Sequence, residues 1–128
     1  YVTLGTNDLP RAAAFYDAVA GAMGYGRMMQ EGEFIAWGSF EDGTAGIAAT
    51  KPFDGEPATV GNGTMAALMV DGKDKVDEVY KVAMDNGASD EGAPGPRGEP
   101  DPNGNVFYAG YFRDLDGNKL NVFTMAPA

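Results

Sequence analysis

The two side chains that carry much of enzyme chemistry are missing from this chain, which contains no histidine and no cysteine. It therefore has no imidazole base, no thiolate nucleophile, no disulfide framework and no zinc knot. Carboxylate, phenol, amide and thioether groups remain. The 19 acidic residues fall mainly in turns and on helix faces rather than in a cluster. Asp114, Asp116 and Asn118 imitate the start of a calcium loop. Lys119 stands where that loop needs glycine, however, and no glutamate closes it. Arg113 and Asp114 are read as holding a hairpin turn. Asn62-Gly63-Thr64 fits a glycosylation acceptor, but nothing points to secretion. No glycine-rich loop is built to cradle phosphate.

The bulk properties restrict the partners. At 128 residues the chain fits one domain, of a size that buries about two thirds of its unfolded surface. Its 44% apolar and 22% charged content is that of a globular protein. No apolar run approaches the roughly 20 residues that span a bilayer. No basic-then-apolar leader is visible, and the expected location is cytoplasmic. The net charge of −10 repels phosphate backbones and anionic lipid, so neither nucleic acid nor membrane is an expected partner. The same charge favours a cationic ligand, or else serves solubility alone.

The elements that position these groups are marked by punctuation. Tyr1–Thr6 reads as a strand, Asp8 as a helix N-cap and Pro10 as a first-turn proline. Leu9, Ala12, Phe15, Val19, Ala22 and Met23 recur at helical spacing until Gly24. Strand-like runs follow at Gly26–Gln30, Phe34–Ser39 and Ala45–Thr50. Residues 51–62, rich in proline and glycine, read as a linker. Then the order returns: Thr64–Val70 is a strand, and Asp71 stands where Asp8 stood. Val76, Val79, Tyr80 and Ala83 form an apolar stripe, with Asp77 and Lys81 as an exposed pair, and Gly87 ends the helix. Asp8 and Asp71 are 63 residues apart, as are Gly24 and Gly87. That offset is close to half the chain, which reads as a duplicated unit. Ser89–Asn105 reads as a surface loop. Val106–Arg113 and Lys119–Thr124 form a hairpin around Asp114–Asn118.

In this order VTLGTNDLPRAAAFYDAVAGAMGY, DEGAPGPRG and YFRDLDGNKLNVF resemble the vicinal oxygen chelate superfamily. That group includes glyoxalase I, bleomycin-resistance proteins and extradiol dioxygenases. The resemblance covers nearly the whole chain and implies an α+β fold of two βαβββ modules, whose curved mixed sheets surround a cavity often completed in a homodimer. The expectation is one domain over 1–128, with module 1 at 1–50, a linker at 51–62 and module 2 at 63–128.

Metal-using members of that superfamily place four ligands, mostly His, Glu or Gln, on the first and last strands of each module. The corresponding positions here are Tyr1, Ala48, Met65 and Asn121. A protonated phenol, a methyl group, a soft thioether and a neutral amide do not make a catalytic divalent site. No metal and no cofactor are expected. Alternation along the strands turns Tyr1, Thr3 and Gly5 inward, along with Met65, Ala67 and Met69, and Lys119, Asn121 and Phe123. Val2 and Leu4 then pack on the helices. Trp37 and Tyr108 are added as further walls of an aromatic, thioether-lined pocket.

Two readings follow. One is a metal-free binding protein holding a small, cationic or aromatic compound in a dimeric cavity. The other is a metal-independent enzyme, with Tyr1 as acid or Asn121 as oxyanion donor.

Overall fold

The computed structural model describes residues 1–128. The first module runs β1 (Val2–Gly5), α1 (Leu9–Ala22), β2 (Gly26–Glu31), β3 (Phe34–Gly38) and β4 (Ile47–Thr50). The second runs β5 (Ala66–Met69), α2 (Lys73–Asp85), β6 (Ser89–Arg97), β7 (Asn105–Arg113) and β8 (Lys119–Pro127). Each module makes its own four-stranded sheet, ordered β1-β4-β3-β2 in sheet A and β5-β8-β7-β6 in sheet B. In both, the strand before the helix pairs parallel with the last strand, and the other neighbours are antiparallel. The α+β fold of two βαβββ modules is thus present.

Local chemistry explains most element ends. The Asp8 carboxylate accepts the Arg11 backbone N–H at 3.1 Å, and Pro10 fills the first turn. Asp71 does not repeat this role. The second helix starts one residue later, behind Gly72, with no side-chain cap. Gly87 has φ +102°, a conformation that L side chains rarely adopt, so the backbone there demands glycine. The predicted Asp77–Lys81 pair is not formed. Lys81 instead bridges Asp85 at 2.7 Å, while Asp77 accepts the Tyr108 hydroxyl.

The largest departure is at Ser89–Asn105, expected to be a loop. Ser89–Arg97 is strand β6, hydrogen-bonded to β7 through a register interrupted around Gly92 and Gly95. Pro94 and Pro96 have no N–H to give. They are tolerated because β6 is an edge strand, with a partner on one side only.

A single core of 19 buried residues joins the modules. It combines Phe15, Tyr16 and Val19 of α1 and Val76, Val79 and Ala83 of α2 with the helix-facing residues of both sheets. Between modules the principal packing is α1 against α2, and no strand of sheet A packs extensively on a strand of sheet B. Leu4 is buried in this core as expected, but Val2, at the start of β1 beyond the helix, is exposed.

The turn at 114–118 locks the arrangement. Asp114 is buried and accepts the Tyr16 hydroxyl at 2.5 Å, the backbone N–H groups of Asp116 and Asn118, and the Asn118 amide. Burial first, and then the charge of Asp114, push the Tyr16 phenol well above its ordinary pKa, so it remains a donor. Asn118 also donates to the Gly5 carbonyl, Asp116 accepts the Asn7 N–H, and Arg11 reaches the Leu115 carbonyl. Tyr16→Phe should therefore leave a buried carboxylate short of one donor. A loss of about 1.5–3 kcal/mol in urea unfolding is expected, the worth of a hydrogen bond to a charged group. An unchanged urea midpoint would contradict this account of the turn.

Candidate functional site

Register decides which side chains share a face. Thr3 lies beside Ala48, and Gly5 beside Thr50, on the side of sheet A turned away from the helices. On sheet B, Ala67 lies beside Asn121, which in turn lies beside Tyr111. The same face carries Phe123, Met125, Phe107 and Ala109. These two open faces hold the residues that alternation turned inward. Tyr1 contacts Phe34 edge-on at 5.5 Å.

The positions predicted for a site are therefore divided. Ala48 belongs to sheet A, with Tyr1 just before its strand β1, and Asn121 and Phe123 belong to sheet B, with Met65 just before its strand β5; within one chain no strand of one sheet packs extensively on a strand of the other. Tyr1 is 64% exposed and Met65 is 42% exposed, whereas Ala48 is fully buried. Asn121 is only 2% exposed, and its side-chain oxygen has no hydrogen-bond partner. Buried amide oxygens are satisfied in the great majority of cases, and this one has no partner within the chain.

Two predicted walls point the other way. Tyr108 lies opposite Thr124 on the helix side of sheet B, and its hydroxyl donates to Asp77 of α2 at 2.8 Å. That hydrogen bond and partial burial raise its phenol above the ordinary value. Trp37 is a core residue, 1% exposed and packed against Tyr16, and its indole N–H donates to Asp17 at 2.7 Å. A one-residue difference in strand phase moves a side chain to the opposite face, and neither position had an internal marker of phase. Trp37 does line an apolar cleft of about 170 Å³ between α1, the ends of β3 and β4, and β5. That cleft includes neither Tyr1 nor Asn121.

Sequence reasoning missed Tyr111, Arg97 and the Phe107–Phe123 stack. Arg97 Cζ lies 5.4 Å and Lys119 Nζ 5.7 Å from the Tyr111 ring centroid. Phe107 and Phe123 stack at 5.1 Å. Strand β7, opposite Lys119–Thr124, could have revealed Tyr111 and Phe107 by alternation. Arg97 was hidden by reading β6 as a loop.

The four positions that hold metal in the superfamily it resembles do not fit one here. Their side chains are a phenol, a methyl, a thioether and a neutral amide, and no group of three or more Asp or Glu lies close enough to hold an ion.

Asp17 anchors the first helix to sheet A. It takes both Arg27 Nε and Nη2, at 2.9 and 2.8 Å, besides the Trp37 indole. The Arg27 hydrogen bonds lead in holding its carboxyl below the ordinary aspartate value. The stabilisation this confers is complete above about pH 4 and is lost as pH falls further. Fluorescence of Trp37, the sole tryptophan, should change in that acid range. Asp17→Asn should flatten the change; an identical titration in the variant would refute the linkage.

Asn121→Leu supplies a second check. It removes an unpaired buried amide, so the unliganded protein should gain about 1 kcal/mol. Destabilisation of that size would show that the amide is already satisfied.

Comparison with known proteins accords with the geometry. The family model of the Glyoxalase/Bleomycin resistance protein/Dioxygenase superfamily matches residues 1–122. A glyoxalase/bleomycin resistance protein from Albidiferax ferrireducens T118 superposes with TM-score 0.84 at 30% identity, covering 96% of this chain and 94% of its own. A glyoxalase/bleomycin resistance protein/dioxygenase family enzyme from Burkholderia phytofirmans PsJN gives 0.71 at 20% identity, with 97% and 95% covered. A putative glyoxalase from Bacillus halodurans gives 0.68 at 17%, with 96% and 92% covered, and these last two show the fold alone. No curated protein matches the chain.

Proposed function

The chain belongs to the glyoxalase/bleomycin resistance protein/dioxygenase superfamily, and from that premise we propose that it is a metal-free binder of a small aromatic compound. The ligand lies between the open face of sheet A in one copy and the open face of sheet B in a second copy. The observation that carries this reading is Asn121, a buried amide with an unpartnered oxygen on the open face of sheet B. A ligand hydrogen bond would satisfy it, while Phe107, Phe123 and Met125 offer the apolar contact that small-molecule sites use.

Pairing of two copies is supported by what one chain leaves uncovered. β1 and β5 are free sheet edges. Tyr1, Met65, Met69 and Met125 are exposed at or beside the open faces. Free edges and clustered apolar side chains are surfaces that proteins ordinarily cover.

The superfamily's metal-dependent chemistry is not assigned to this chain, because the side chains at the four positions are unsuited to it. The alternative of a metal-independent enzyme rests on the same residue, with Asn121 as the donor to a developing oxyanion.

The test joins sedimentation with calorimetry on untagged protein. A dimer is expected, with saturable binding of one compound per chain from a panel of anionic, neutral and cationic aromatic dyes. Zinc, nickel and manganese should give no saturable heat. A stoichiometric metal, or no dye bound by a well-folded dimer, would overturn the proposal.

A further inference from the structure

The formal charge of the chain is −10, yet basic side chains gather on the open face of sheet B. Six of the nine basic side chains are held in ion pairs. Arg97 and Lys119 are not, and both lie against the Tyr111 ring, at 5.4 and 5.7 Å from its centroid. Register sets Arg97 opposite Phe107, Tyr111 opposite Asn121, and Lys119 two residues before Asn121 on the same face. Arg113, also on this face, is neutralised by Glu91 at 2.6 Å. None of the open-face positions of β5, β7 and β8 is acidic.

Net charge is a poor guide to such a place. Exposed charges more than about 8 Å away are largely screened at physiological ionic strength, so acids on helices and distant loops count for little there. Two cations beside a ring, without counter-ions, dominate the local potential. The Lys119 ammonium is a point charge. Arg97 uses Nη1 and Nη2 to reach the carbonyls of Pro96 and Ala93, which fixes its guanidinium against the sheet. Next to them is an independent feature that points to a ligand, the 2%-exposed Asn121 with its unpartnered oxygen.

We infer that the open face of sheet B is an anion-recognising subsite formed by Arg97 and Lys119, with the Asn121 oxygen beside it as an acceptor, taking a flat apolar compound that bears a carboxylate-type anion. The anion is drawn to the basic end of the face around Tyr111, the flat body lies against the Phe107–Phe123 stack, and the Asn121 oxygen accepts from a donor of the ligand. The expectation of a cationic ligand, drawn from net charge, is reversed here. The inference rests on the proposed small-molecule binding and adds the sign of the ligand's charge.

Three probes of one shape test it: 2-naphthoate, 2-naphthamide and 2-naphthylmethylammonium, titrated calorimetrically at one ionic strength. Naphthoate should bind saturably, about tenfold or more tighter than naphthamide, the scale of one charge-assisted contact. The Arg97→Gln/Lys119→Gln double variant should bring naphthoate down to the level of the amide. Equal or tighter binding of the amide or ammonium probe, or a naphthoate advantage that survives in the double variant, would overturn the charge assignment while small-molecule binding stood. No saturable binding by any of the three would remove both.

Discussion

The hydrogen bond from Tyr16 to Asp114 is the contact on which the arrangement of the two modules depends. A carboxylate in the interior costs several kcal/mol unless donors surround it, and Asp114 is buried with four hydrogen bonds. Three come from its own turn and one from α1 of the other module. The turn between β7 and β8 therefore has its proper shape only when α1 lies against it. The strands on either side of that turn carry Tyr111 and Asn121, so the lock that joins the modules also fixes the register of the open face.

Joining the modules through their helices has a geometric consequence. Each sheet uses its helix-facing side for the common core, with Ile35, Trp37 and Ala49 from sheet A and Phe112, Leu120 and Val122 from sheet B. The opposite sides are left without a partner from the same chain. Apolar residues such as Met69, 71% exposed, remain on view there. A surface of this kind is incomplete by itself, which is why the functional reading turns on what a second copy and a ligand would cover.

At the candidate site the fold and the side chains it presents are separate matters. The βαβββ repeat places four positions on the open faces whichever side chains occupy them. Here they bear a phenol, a methyl, a thioether and an amide, whose donor strength is too low for a catalytic divalent ion. The open face of sheet B carries instead an aromatic stack, two cations without counter-ions and one amide oxygen without a protein partner. The contrast with the strongly acidic remainder of the chain marks this face, since solubility alone gives no reason to gather cations without counter-ions on one face of a sheet.

Much of this was legible in sequence because its causes are local. Asp8 capping, the Gly24 and Gly87 helix ends and the α2 stripe each depend on a few consecutive residues. So does the alternation that placed Asn121 and Phe123 together. Failures came where the cause was distant. Pro94 and Pro96 look loop-like until β7 is seen to pair on one side only, and Tyr108 and Trp37 could be phased only against neighbouring strands. By itself, the sequence determined that no imidazole or thiolate exists, that the chain repeats at half its length, and which residues alternate within each strand. Tertiary structure alone decided that β6 is a strand, that Arg97 and Lys119 converge on Tyr111, and that the Asn121 oxygen is buried without a partner. Propensity and periodicity act over a few residues of chain. Ion pairing, burial and cation placement are set by strands and helices whose proximity exists only after folding.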